Sequence, residues 1–249
     1  MGETDRDLLS DKPIPGPERL IFALDVPSTA EARRLVDALG DAVHFYKLGL
    51  ELFMAGGYFE LLDHLIGRGK QVFVDLKFFD VPETVAAAVR QLRDRGAQFA
   101  TVHGNDGMIE AACREKGDLK ILAVTALTSL DQGDLRDLGF TVSVEKLVLS
   151  RAKRALAYGC DGVISSGLEA RALRTSLGSR LLIVSPGIRP VENRTDDDQK
   201  RVVTARDAFR AGADYIVVGR PIREAGDPRA AARAIQDEIA ELFPPNHAA

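Results

Sequence analysis

Five charged residues of alternating sign stand at positions where they could act together. Asp25 falls in the apolar run LIFALDV (20–26), Lys47 in HFYKLGL (44–50), Asp75 and Lys77 in QVFVDLKF (71–78), and Asp80 just beyond. Side chains of an extended strand alternate between its two faces, so Asp25 shares a face with Ala23, Lys47 with Phe45, and Asp75 and Lys77 with Phe73. The opposite faces are apolar throughout: Phe22, Leu24 and Val26, then Tyr46, Leu48 and Leu50, then Val72, Val74, Leu76 and Phe78. Those faces suit a covering layer of helices. Taken singly, a strand-end Asp or Lys reads as a solvated terminus or an ion pair, and Asp80 with Glu83 as a capping box ahead of a helix opened by Pro82. Together the charges read differently. Ions withdrawn from water cost several kcal/mol each unless paired, and apolar residues would serve stability as well, so inward charges of both signs point to catalysis. His103, at the end of a fourth run, is expected to orient or pack.

A second group lies in SPGIRP (185–190) and VGRPI (218–222). Gly219 permits close backbone approach, and Arg189 and Arg220 supply forked donors suited to phosphate oxygens. Between them, residues 189–203 are polar and without period, as expected of a lid.

The elements that would position these groups follow one pattern. Five further apolar runs, QFATVHG (98–104), LKILAVTAL (119–127), DGVISSG (161–167), RLLIVSPGI (180–188) and DYIVVGR (214–220), bring the strands to eight. Stretches of helical period separate them, including Thr29 to Leu39 behind a Ser28/Glu31 capping box, Val81 to Arg95, and about Val144 to Tyr158. The segment SLDQGDLRDLGF (129–140) reads as a polar loop that lengthens the fifth connection. Eight βα units predict a (β/α)8 TIM barrel, in which catalytic groups come from the C-terminal strand ends and the last two loops commonly cradle phosphate. A doubly wound sheet would carry a glycine-rich loop after its first strand, whereas this one continues DVPSTAEA. One barrel domain over 19–242 is expected, with a flexible N-terminal arm (1–18) and a short tail (243–249).

Composition narrows the partners. The 249 residues carry 33 Lys plus Arg against 37 Asp plus Glu, a net charge of −4 that offers no footprint for nucleic acid. No apolar run approaches the roughly 18 residues of a membrane span, and the first 18 residues lack a charged-then-apolar leader, so a cytoplasmic protein is expected. Cys113 and Cys160 form no CxxC pattern and read as inert buried thiols, and four scattered histidines give little material for a metal site.

The string VFVDLKFFDVPETV (72–85) closely resembles the signature of the bacterial-type orotidine 5′-phosphate decarboxylase family. FALDV (22–26), YKLGLELF (46–53), VTALTS (124–129), SPGIRP, DQKRVVT (198–204) and VVGRPI (217–222) resemble that family's blocks in its order, over nearly the whole domain. The resemblance implies conversion of orotidine 5′-monophosphate to UMP and CO2 without metal or cofactor. It implies that Lys47, Asp75, Lys77 and Asp80 form the catalytic array with Lys77 as proton donor. Asp25 would bind the ribose with Lys47, Thr128 the pyrimidine, and Arg189, Gln199, Gly219 and Arg220 the phosphate. Asp80 and Thr84 would reach the site of a neighbouring subunit in a homodimer. The sequence departs from the family pattern at Phe79, where His is frequent, at Glu83, where Asn is common, at Glu192, where a small residue is usual, and at Ala205, where Pro is typical. The shorter motif DxKxxD also occurs in similar magnesium-dependent barrels acting on sugar phosphates, which gives an alternative reading; a non-catalytic nucleotide-phosphate binder gives another.

Overall fold

The computed structural model describes residues 7–103, 105–189 and 203–244. Eight parallel strands close into a barrel in chain order: β1 (Leu20–Ala23), β2 (Phe45–Leu48), β3 (Gln71–Phe78), β4 (Phe99–His103), β5 (Lys120–Val124), β6 (Gly162–Ile164), β7 (Leu182–Ser185) and β8 (Tyr215–Val218). Neighbouring strands pair so that lumen-facing residues meet, with Ile21 opposite Phe45 on β2 and Lys47 opposite Phe73 on β3. The expected parity holds. Ala23, Phe45 and Phe73 belong to the apolar cluster inside the barrel, whereas Phe22, Leu24, Tyr46, Leu48, Val72 and Val74 belong to the larger core between barrel and helices. Leu50 is the exception: β2 ends at Leu48, and Leu50 opens a helix with its side chain 57% exposed.

Helices follow the strands: α1 (Thr29–Leu39), α2 (Leu50–Ala55), α3 (Tyr58–Gly67), α4 (Pro82–Arg93), α5 (Asp106–Glu115), α6 (Gln132–Asp137) and α7 (Val144–Ala157). The circuit is completed by α8 (Gly167–Leu177), α9 (Ala205–Arg210), α10 (Arg220–Arg223) and α11 (Pro228–Leu242). Ser28 caps α1 by accepting a hydrogen bond from the Glu31 amide at 3.2 Å. The stretch read as a polar loop contains α6. Its polarity concealed a capping box: Asp131 accepts from the amides of Gly133 and Asp134, and the Asp134 carboxylate accepts from the Asp131 amide at 2.7 Å. Among the described residues no helix is long and apolar enough to cross a membrane.

Inside the barrel, aromatic rings make a packed floor beneath the mouth. Phe99 lies 5.0 Å from Phe45 and 5.2 Å from Tyr215 between ring centroids, distances at which tilted and edge-to-face rings attract. Below that floor the N-terminal arm, expected to fray, is anchored from residue 8 onward. The Leu8 amide donates to the Arg210 carbonyl, Ser10 and Lys12 donate to the Asp214 carboxylate, and Ile14 packs against the interior cluster. Asp214 is wholly buried and is also held by Arg174 at 2.8 Å.

Candidate functional site

The longest strand carries the centre of the site. Register between β3 and β4 shifts between Val74 and Phe78, and within this irregularity Lys77 adopts φ +48°, the left-handed region that non-glycine residues seldom occupy. It is the one non-glycine residue with positive φ among the described residues. Its amide donates to the Thr101 hydroxyl at 2.9 Å, and that hydroxyl donates in turn to Asp75 Oδ1 at 2.9 Å. The turn of backbone carries the Lys77 ammonium to within 2.9 Å of the same carboxylate oxygen.

From Asp75 the charges continue in a chain. Lys47 Nζ lies 3.5 Å from Asp75 Oδ2 and 2.9 Å from Asp25 Oδ1, giving the order Asp25, Lys47, Asp75, Lys77 with signs alternating. Gly49 leaves room for this arrangement, because a Cβ there would stand 3.0 Å from Asp25 Oδ1 and 3.1 Å from Lys47 Nζ. The two central groups are the driest, with side chains of Lys47 and Asp75 each 12% exposed. Burial works against both charges, yet the opposite charges prevail. Burial would lower the Lys47 pKa, but Asp75 and Asp25 raise it above the ordinary lysine value. Burial would raise the Asp75 pKa, but Lys47, Lys77 and the hydrogen bonds of Lys77 and Thr101 hold it below the usual carboxylate range.

The array opens into a cavity of about 460 Å³ at the C-terminal ends of the strands. Thr128 lines it beyond β5, and Arg189, Gly219 and Arg220 line its far side. Gly219 packs tightly against β1, since a Cβ there would lie 3.3 Å from the Ala23 Cβ. The structure therefore brings Asp25, Lys47, Asp75, Lys77, Thr128, Arg189, Gly219 and Arg220 to one pocket. Gln199, Glu192 and most of the expected lid (190–202) lie outside the described residues.

Asp80 and Thr84 are not in this chain's pocket lining. Both are exposed, and Asp80 accepts a hydrogen bond from the Val81 amide at 2.7 Å, so the Asp80/Glu83 capping box does not form. Glu83 pairs instead with Arg114 at 3.0 Å. His103 packs edge-on against Phe79, with ring centroids 4.8 Å apart, and burial together with Arg151 and Lys77 lowers its pKa below the usual histidine value. Its surroundings thus disfavour the charged ring, and the ring packs against Phe79.

Two residues of the site escaped the sequence reading. Thr101 shares the lumen face of β4 with Phe99, and extending the period-two count to this strand would have found it. Arg223 lines the pocket three residues beyond Arg220 and donates to the backbone carbonyl of Asp25, tying the β8–α10 turn to the end of β1. Its spacing on a short helix was the available signal.

A closed (β/α)8 barrel with a polar pocket built on the C-terminal ends of its strands is the layout of the barrel enzymes. Residues 18–235 match the family described as Orotidine 5′-phosphate decarboxylase / HUMPS, and the chain belongs to that family. Orotidine 5′-phosphate decarboxylase of Methylococcus capsulatus is 66% identical over 237 residues, covering 95% of this chain and 98% of that one. The protein of the same name from Xanthomonas euvesicatoria pv. vesicatoria is 52% identical, with 94% and 97% covered. Among solved structures, orotidine 5′-phosphate decarboxylase from Lactobacillus acidophilus superposes with a TM-score of 0.79 at 36% identity, over 89% of this chain and 99% of that one.

Proposed function

We propose that this chain converts orotidine 5′-monophosphate to UMP and CO2 in pyrimidine biosynthesis, as a cytoplasmic homodimer. Breaking the bond between C6 and the carboxylate leaves an electron pair in the ring plane, orthogonal to the π system, so no ring carbonyl accepts it as an enolate. The reaction needs a preorganised cation. The observation that carries this reading is the Lys77 ammonium, fixed 2.9 Å from Asp75 at the pocket mouth, with Asp75 tied through Lys47 to Asp25. An ammonium about 4 Å from the developing charge is worth roughly 4 kcal/mol at an effective dielectric near 20, without the reorganisation that water would require. Lys77 then gives its proton to C6, completing UMP, and regains one from solvent.

The remaining assignments are those that membership of the family implies, and Asp25, Lys47, Thr128, Arg189, Gly219 and Arg220 all line the pocket. Asp25 and Lys47 take the ribose hydroxyls, Thr128 the pyrimidine edge, and Arg189, Arg220, the Gly219 turn and Gln199 the phosphate. Binding energy from the phosphate closes the site and is realised as rate rather than as affinity alone. Asp80 and Thr84 complete the site of the second subunit. Phe79 and Val81, on either side of Asp80, are 61% and 63% exposed, which supports an apolar contact on this loop.

The test is the fall in orotidylate absorbance with protein treated with a chelator. Wild type retains full activity; loss of activity on chelation would favour the magnesium-dependent alternative. Lys77→Ala abolishes turnover while still binding UMP, and turnover in that variant would remove Lys77 as the proton donor.

A further inference from the structure

At the end of the barrel opposite the pocket, the chain's two cysteines meet. Cys113 lies near the end of α5 and Cys160 in the turn that delivers the chain from α7 to β6, and their Sγ atoms are 3.6 Å apart despite a separation of 47 residues. The corner is braced independently of the sulfurs. Lys116 Nζ donates to the Gly159 carbonyl at 2.9 Å and pairs with Asp161 at 2.8 Å, while Asp161 accepts from the Ile121 amide at 2.8 Å. The end of α5, the 159–161 turn and the start of β5 are thereby held as one unit. Covalent sulfurs stand about 2.05 Å apart, so the two Sγ atoms at 3.6 Å must approach by roughly 1.5 Å to bond.

The two thiols differ in a way that suits stepwise exchange. Cys113 is half-buried, and its pKa is lowered by hydrogen bonding with Cys160 and by Lys116, against the effect of burial. Cys160 is buried, and the shared hydrogen bond together with burial keeps it protonated. Cys113, the more accessible of the two, is placed to meet a reagent first, with Cys160 behind it to resolve the product.

We propose that Cys113 and Cys160 are an oxidisable dithiol that a low-molecular-weight disulfide converts to an intramolecular disulfide, stapling α5 to the entrance of β6. The Cys113 thiolate attacks one sulfur of the reagent, forming a mixed disulfide and expelling one thiolate. The Cys160 thiol loses its proton to that thiolate or to solvent and attacks the Cys113 sulfur, expelling the second. Two protein thiols and one reagent disulfide become one protein disulfide and two reagent thiols.

The experiment treats the folded wild-type protein with oxidised glutathione, then denatures it, alkylates it and weighs it. The expected product has lost two hydrogens, carries no glutathione, takes up no alkylating agent and reverts with dithiothreitol. Its melting temperature rises by several degrees, because the new bond restricts the unfolded chain. In Cys160→Ser the reaction stops at the mixed disulfide on Cys113. Two thiols still open to alkylation after treatment, a stable glutathione adduct in the wild type, or a disulfide between chains would each overturn the proposal.

Discussion

Asp75 holds two cations and a hydroxyl at once, and this sharing keeps it ionised in a dry site. Its pKa is depressed, so its charged form contributes fully above the ordinary carboxylate value near about 3.9 and is lost as pH falls through the lowered value. The Lys47 pKa is raised, so that charge contributes fully below about 10.4 and is lost as pH rises through the higher value. Asp75 and Lys47 are therefore both ionised across the neutral range. Lys47→Ala removes one of the cations that offset Asp75's burial, so the Asp75 pKa should rise and the acid limb of the pH–rate profile should move to higher pH. An acid limb that stays in place would separate the two residues. At this scale the sequence was informative because charge is conspicuous in an apolar strand: parity alone put Asp25, Lys47, Asp75 and Lys77 on one side. Thr101 follows the same parity, but a hydroxyl in a β-branched run draws no notice. The positive φ of Lys77 was hidden because nothing in a lysine advertises the left-handed region.

The β8–α10 turn joins two ends of the pocket. Arg220 opens α10 in the pocket lining, and Arg223, closing the same helix, grips the Asp25 carbonyl. Arg220→Ala should lower kcat/KM by about 100-fold or more, the scale expected when a forked charged donor is lost, with an unchanged melting temperature. Near-normal kcat/KM would take the phosphate away from this turn. All eight strands and the helices α1, α4 and α7 were legible, because burial of one face imposes a period that composition preserves. The short elements were not. α6 is held by reciprocal carboxylate caps rather than by a broad apolar face, and α2 begins one residue beyond the Leu48–Gly49 end of β2, so Leu50 broke the strand parity.

Two predictions concern the molecule as a whole. Mixing Lys77→Ala with Asp80→Asn chains should restore about a quarter of wild-type activity, since half of the random dimers are mixed and each has one site with both residues intact. No recovery on mixing would place Asp80's role within its own subunit. Asp214→Ala should destabilise the fold by about 3–5 kcal/mol in chemical denaturation, because Lys12 and Arg174 lose a fully buried partner. The folded fraction should keep its kcat/KM; a matching loss of catalysis would tie the base of the barrel to its mouth. The barrel itself could be counted from the chain, but the docking of the arm could not: Ser10 and Lys12 acquire meaning through Asp214, some 200 residues away.

With Ile14 wedged under the aromatic floor and Leu8, Ser10 and Lys12 strapped across the base, the barrel is stoppered at one end. Among the described residues, the barrel's open end is the pocket at the C-terminal ends of the strands. Carbon dioxide formed in the pocket would then leave on the side by which the nucleotide arrived.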